Sequence, residues 1–177
     1  MTEPGVRGGH FPTEERQIDS EVARSLRSMG QESIAEDLGA FPMTVLHFRR
    51  TFVEKLFIVH GLAERLKRDG TSFGRNARHY IDLYSLAGES EVEDMLRSTE
   101  YGQIEQDYEE ISLRFFKKQY ERPPDLRFTN STGIFPTADL RAQITPDYDE
   151  QCQTLCYGRY PSFDDVLARF EEIRDLL

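Results

Sequence analysis

Residues 51–68 carry an amphipathic pattern that suits a helix, and the rest of the chain has to pack around it. Phe52, Leu56, Val59, Leu62, Ala63 and Leu66 fall on one arc of a wheel with 3.6 residues per turn. Thr51 is of N-cap type, Glu54 three residues later has the spacing of a capping box, and Gly70 is placed to end the run. Lys55 stands at the margin of the arc, between Val59 and Leu62. A lysine in that position snorkels to water, pairs with a carboxylate, or faces a ligand-filled cleft.

The flanking segments extend the helical pattern. Ile18, Val22, Leu26 and Met29 predict a helix from about Thr13 to Met29, stopped by Gly30, with a shorter piece over 33–37. Phe41 to Leu46, with Thr44 and Val45, is the best strand candidate. Further helices are expected at 75–87, at 89–97, and at 101–121 with Ile104, Tyr108, Ile111 and Phe115 on one side. Pro123-Pro124 breaks the pattern and opens a loop to Pro136. Helical patterning resumes at 137–143 and 147–157. Ser162 and Asp165 then cap a last helix with Phe163, Val166, Leu167, Phe170 and Ile173 as its core. The expected fold is mainly α, a helical bundle with one or two short strands near the N-terminus. It comprises a flexible lead over 1–12 and a single domain over 13–177, with a possible sub-boundary at the 122–136 loop.

Composition narrows the function. A net charge of -10 argues against a general nucleic-acid binder. Yet Arg49 to Arg78 holds eight basic residues against three acidic ones, a local +5 that suits an anionic partner or, equally, salt bridges to neighbouring elements. Cys152 and Cys156 lack further ligands nearby to close a zinc site and read as small buried residues. The four histidines form no His-Glu-x-x-His pattern, so no residue is assigned to a metal. No stretch approaches the roughly 20 apolar residues of a membrane span, and Met1 to Pro12 lacks a signal-peptide core, so the expected location is cytoplasmic.

Asp82 is the second residue of interest. Tyr80, Leu83, Tyr84 and Ala87 make the apolar face of its helix, and Asp82 points away from it. Arg78, four residues earlier, offers a surface ion pair worth tenths of a kcal/mol. Ile81 and Leu86 broaden the apolar surface, and an aspartate beside arginines on such a helix is held ionised and oriented.

The run Arg50-Thr51-Phe52-Val53-Glu54-Lys55-Leu56, followed by His60, resembles the R-T-F-x-E-K-L…H helix of the AbiEii/AbiGii nucleotidyltransferase toxins. Arg78-His79-Tyr80-Ile81-Asp82-Leu83-Tyr84 is similar to their R-H-x-x-D-L-Y helix, and 147–164 to their C-terminal end. The resemblance implies that Lys55 contacts the nucleotide triphosphate, that Asp82 takes part in catalysis, and that Arg78 helps bind the phosphates. His79 and Tyr84 are read as structural. It further implies NTP and Mg2+ as substrate and cofactor, RNA as a possible acceptor, and a cognate antitoxin as a partner.

The family's N-terminal half carries a Gly-Ser motif and an Asp-x-Asp pair on a β-sheet. Here the one Asp-x-Asp, Asp147-Tyr148-Asp149, has no Gly-Ser before it, and Gly8-Gly9 is a lone pair. The first expectation is therefore the C-terminal half of such an enzyme, inactive until another polypeptide or upstream sequence completes its site. The second is a non-catalytic helical module that binds a partner protein.

Overall fold

Backbone groups that cannot pair within their own segment must pair elsewhere, and this decides the N-terminal region. The computed structural model describes residues 9–34 and 38–177. They divide into two compact units, one of His10–His47, the other of Phe48–Leu177 together with Gly9. The lead expected over 1–12 lies largely outside the described residues.

In the first unit, β1 (Thr13–Ile18) runs antiparallel to β2 (Phe41–Leu46), with Thr13 opposite Leu46 and Ile18 opposite Phe41. The helix expected from Thr13 is thus corrected: the polar run Thr13–Gln17 completes the ladder of a strand distant in sequence, which outweighs its helical spacing. The helix starts only at α1 (Glu21–Ser28), where the Ser20 hydroxyl accepts the Ala23 N–H at 3.0 Å. Gly30 follows with φ +67, as the stop requires. The piece expected over 33–37 is a 3-10 turn at Glu32–Ile34, with its remainder outside the described residues. Ala23 is the one buried apolar residue of this unit among those described, whereas Val22, Met29, Ile34, Phe41 and Met43 are exposed.

The second unit is built on α2 (Phe48–Asp69), which buries Phe52, Val53, Leu56, Val59 and Ala63. It starts three residues before Thr51, so the expected capping box is not formed. Glu54 accepts instead from Arg50 Nε at 2.7 Å, one turn away in the same helix. Around α2 stand α3 (His79–Leu86), α4 (Ser90–Leu96), α5 (Thr99–Phe115), α6 (Ala138–Leu155) and α7 (Phe163–Glu172). A 3-10 turn, Gly74–Arg78, leads into α3; the Gly74 N–H, at φ +49, donates to Asp147 Oδ2 at 2.7 Å. Two helices expected across 137–157 are one: Pro146 sits inside α6, where its missing N–H removes one intrahelical bond without ending the helix. At α7 the Ser162–Asp165 capping box is formed, over buried Phe163, Val166, Phe170 and Ile173. Among the described residues no helix is long and apolar enough to cross a membrane.

Aromatic packing ties these helices together. Phe57 on α2 stacks on Tyr108 of α5 at 4.4 Å and meets the edge of Phe128 at 4.9 Å. Tyr80 is fully buried, edge-on to Phe163 at 5.0 Å, and its hydroxyl donates to the Gly133 carbonyl at 2.7 Å. The 131–134 turn is pressed against α2: His60 Nδ1 lies 2.9 Å from Ser131 Oγ, and a Cβ at Gly133 would stand 2.5 Å from the Val59 carbonyl oxygen. Because that neighbour is backbone, Gly133→Ala is expected to destabilise the fold by about 1–3 kcal/mol in chemical denaturation.

On α5 the apolar stripe is rotated from its expected place. Tyr101, Ile104, Glu105, Tyr108 and Ser112 are buried, while Phe115 is exposed. Burial pushes the Glu105 carboxyl up to about 7, above its ordinary 4.5. The unfolded chain ionises this group between pH 4.5 and 7 while the folded one keeps its proton, so stability falls as pH rises through that window. Glu105→Gln is expected to match the wild type below pH 4.5 and to exceed it at pH 8 by on the order of 2–3 kcal/mol, read from thermal melts.

Candidate functional site

Lys55 and Asp82 meet because α2 and α3 pack side by side with those residues on facing flanks. Lys55 Nζ donates to Asp82 Oδ2 at 2.6 Å. Of the three fates open to a lysine at the margin of the apolar arc, pairing with a carboxylate is the one realised. The lysine side chain is 17% exposed and the aspartate 46%, so the pair sits at the protein's surface with its acid end open to solvent.

His79, the first residue of α3, joins them. Its Nδ1 is 3.2 Å from Lys55 Nζ, a distance at which the ammonium donates to the ring; that acceptor role requires the Nε2–H tautomer. Its distance to Asp82 Oδ2 is 3.8 Å, too long for a hydrogen bond. Partial burial alone would raise the Asp82 carboxyl, but the facing His79 and the hydrogen bond and charge of Lys55 outweigh it. The carboxyl is therefore held below its usual range. Sequence reasoning read His79 as structural; its place directly after Arg78, three residues before Asp82, was the signal that it shares the acid's side of the helix. Tyr84 has a packing role, with the Arg169 guanidinium 5.5 Å from its ring centroid.

Arg78 is exposed and, among the described residues, makes no ion pair with Asp82 or any other acid. The basic stretch around it is largely neutralised: Arg49 faces Glu91 and Glu100, Arg50 holds Glu54 and Asp107, Lys67 holds Glu64, and Arg68 holds Glu121. Internal salt bridges thus account for most of the local +5. Arg65, Arg75 and Arg78 remain outside any ion pair among the described residues, and Arg78 directly precedes His79 in the chain.

The donor set does not make a metal site. No group of three or more His, Cys, Asp or Glu side chains among the described residues is arranged to hold an ion. The Asp147 of the single Asp-x-Asp is engaged with the Gly74 N–H, and Cys152 is buried in α6. The described residues therefore do not fit a Mg2+ centre; around Lys55 they offer one cation, one carboxylate and one imidazole at an open surface.

The model of the family described as nucleotidyl transferase AbiEii toxin, type IV TA system, matches residues 1–169. No curated protein and no solved structure matches the chain.

Proposed function

The chain belongs to the AbiEii family of nucleotidyl transferase toxins of type IV toxin–antitoxin systems, and from that premise we propose that Lys55 and Asp82 serve nucleotidyl transfer from an NTP to an acceptor, with RNA as the acceptor. Membership in a toxin–antitoxin family implies an antitoxin partner. The observation that carries the reading is the 2.6 Å contact between two side chains 27 residues apart, each from the helix whose motif the resemblance rests on.

In such a transfer an acceptor hydroxyl bonds to the α-phosphorus as the bond to pyrophosphate breaks, and charge builds on the phosphate oxygens. Lys55, with three N–H donors, exchanges Asp82 for a triphosphate oxygen and stabilises that charge. Its departure removes part of what holds the Asp82 carboxyl low, so the carboxylate becomes a better acceptor for the hydroxyl proton. Arg78 reaches the same phosphates from one turn earlier. Metal-holding carboxylates belong to a Gly-Ser/Asp-x-Asp portion, supplied by another polypeptide or by upstream sequence, and without it the chain is inactive. The His10–His47 unit supports a further layer, since a two-stranded sheet with one buried apolar residue is marginal by itself.

A second reading, a non-catalytic module that binds a partner protein, draws on the closure of the ion pair, in which Lys55 and Asp82 satisfy one another. Incubation with labelled NTPs and total RNA separates the two. Label is expected on RNA when a polypeptide bearing the Gly-Ser and Asp-x-Asp motifs is added, and not with this chain alone. Absence of label from the combined proteins, with the two shown to associate, favours the binding module.

A further inference from the structure

The end of α5 and the turn after it read Leu113-Arg114-Phe115-Phe116-Lys117-Lys118-Gln119, basic side chains set around two aromatic rings with no acid among them. The segment is open to solvent. Phe115 is 63% exposed and Leu113 46%, and Arg114, Lys117 and Lys118 are exposed as well. The Arg114 guanidinium lies over the Phe115 ring, 4.9 Å from its centroid, and the Phe116 ring stands 6.5 Å from the same centroid. Residues 114–119 line a groove of about 330 Å³, to which none of Lys55, His79 or Asp82 contributes. The acids that flank the segment do not neutralise it. Glu109 is held by Arg122 and Glu121 by Arg68, while Glu110, one turn before Arg114, forms no ion pair with it among the described residues. The C-terminal end of a helix favours cations, which accounts for Arg114 in the last turn. It does not account for an aromatic ring kept in water beside them.

We propose that this surface holds single-stranded RNA, with a base stacked on Phe115 and Arg114 and the flanking phosphates on Lys117 and Lys118. An exposed ring beside lysines meets both parts of a nucleotide: every base has a face to stack, and every linkage carries a negative charge. The guanidinium on Phe115 adds a second planar group to the platform. A duplex offers the same phosphates but keeps its bases stacked on one another, so the ring selects an unpaired strand. Leu113 and Phe115 are two positions apart and point to different sides of α5, so they make no apolar face of the kind that lies in a membrane. The net charge of -10 repels RNA from the rest of the molecule and confines a strand to this local surplus of cations. The inference deepens the proposed function and rests on it for the RNA's role as acceptor; the binding follows from this surface alone.

Fluorescence anisotropy of the full chain with a short labelled oligouridylate, titrated at several salt concentrations, tests this. The same strand annealed to its complement is the duplex control, and a polyglutamate peptide and phosphatidylserine vesicles serve as competitors. The single strand is expected to bind more tightly than the duplex, and neither competitor is expected to displace it. Phe115→Ala is expected to weaken binding by about fivefold or more with the salt dependence unchanged, the loss of one stacked base. Lys117→Gln with Lys118→Gln is expected to lower the slope of log K against log salt by about 1.4, two phosphate contacts on a single strand. All three positions are exposed, and circular dichroism checks that the variants fold. Absence of binding, preference for the duplex, or full affinity in Phe115→Ala overturns the proposal. Displacement by polyglutamate overturns it in favour of an acidic protein segment, and displacement by the vesicles in favour of a lipid surface. Neither NTP nor a second polypeptide takes part, so failure here leaves the roles of Lys55 and Asp82 standing, and their failure leaves this binding standing.

Discussion

Replacing Arg50 by alanine is expected to destabilise the protein by about 3–5 kcal/mol, more than any other single substitution at an ion pair of this molecule. Arg50 is fully buried. Its guanidinium reaches Glu54 at 2.7 Å on its own helix and Asp107 at 2.7 Å on α5, so it joins α2 to α5 electrostatically. Gly9 lies against the same cluster, where a Cβ would run into both Arg50 and Asp107. Without the guanidinium, two largely buried carboxylates would face each other uncompensated. Burial already pushes the Glu54 carboxyl up, and it is Arg50 that counters this while Asp107 adds to it. In Arg50→Ala the Glu54 carboxyl loses that counterweight and gains a proton more readily, so the deficit is expected to be greater at pH 8 than at pH 5, where its protonation relieves the repulsion. Urea denaturation at the two pH values reads both the magnitude and the sign.

The second large effect concerns activity rather than stability. With the completing portion present, Lys55→Ala and Asp82→Asn are each expected to lower transfer by about 10²–10³, the usual consequence of removing one preorganised charge or donor from the reacting centre. Folding is expected to change by under about 1 kcal/mol, because the pair is open to solvent at its acid end. The signatures differ. On the proposed role, in which the lysine meets the triphosphate before and during the reaction, Lys55→Ala is expected to raise KM for the NTP as well as to lower kcat. On the proposed role of Asp82 as proton acceptor, Asp82→Asn is expected to lower kcat with KM nearly unchanged, because Lys55 is left for the phosphates. A fall in activity that tracks a loss of folded protein in both variants would instead mark the pair as structural.

Much of the helical framework was written in the sequence where a local rule and the core agreed. The Ser162–Asp165 box and the apolar arc of α2 are of this kind, while the Phe41–Leu46 strand, with no buried residue, followed from its β-favouring residues alone. Expectation failed where a distant partner outweighed a local pattern. Thr13–Ile18 has helical spacing but completes the ladder of β2; Glu54 has capping-box spacing but is claimed by Arg50. Pro146 was read as a gap, although helix packing tolerates one missing bond. At the site, the motifs selected Lys55 and Asp82, and their contact could not be derived from spacing, because it depends on how α3 lies on α2. His79 was read as structural, and its contact with Lys55 could not be derived for the same reason. The burial of Glu105 left no mark in the sequence beyond an acid placed on an apolar helix face, where burial is unusual.

Label transfer from α-labelled NTP to total RNA bears most directly on the roles given to Lys55 and Asp82. Wild type, Lys55→Ala and Asp82→Asn would be compared side by side, each folded and each supplied with the Gly-Ser/Asp-x-Asp polypeptide. Strong labelling by the wild type and near-background labelling by both variants is the expected result. Labelling by both variants at the wild-type rate would contradict the account, and leave the Lys55–Asp82 contact as a salt bridge between two helices.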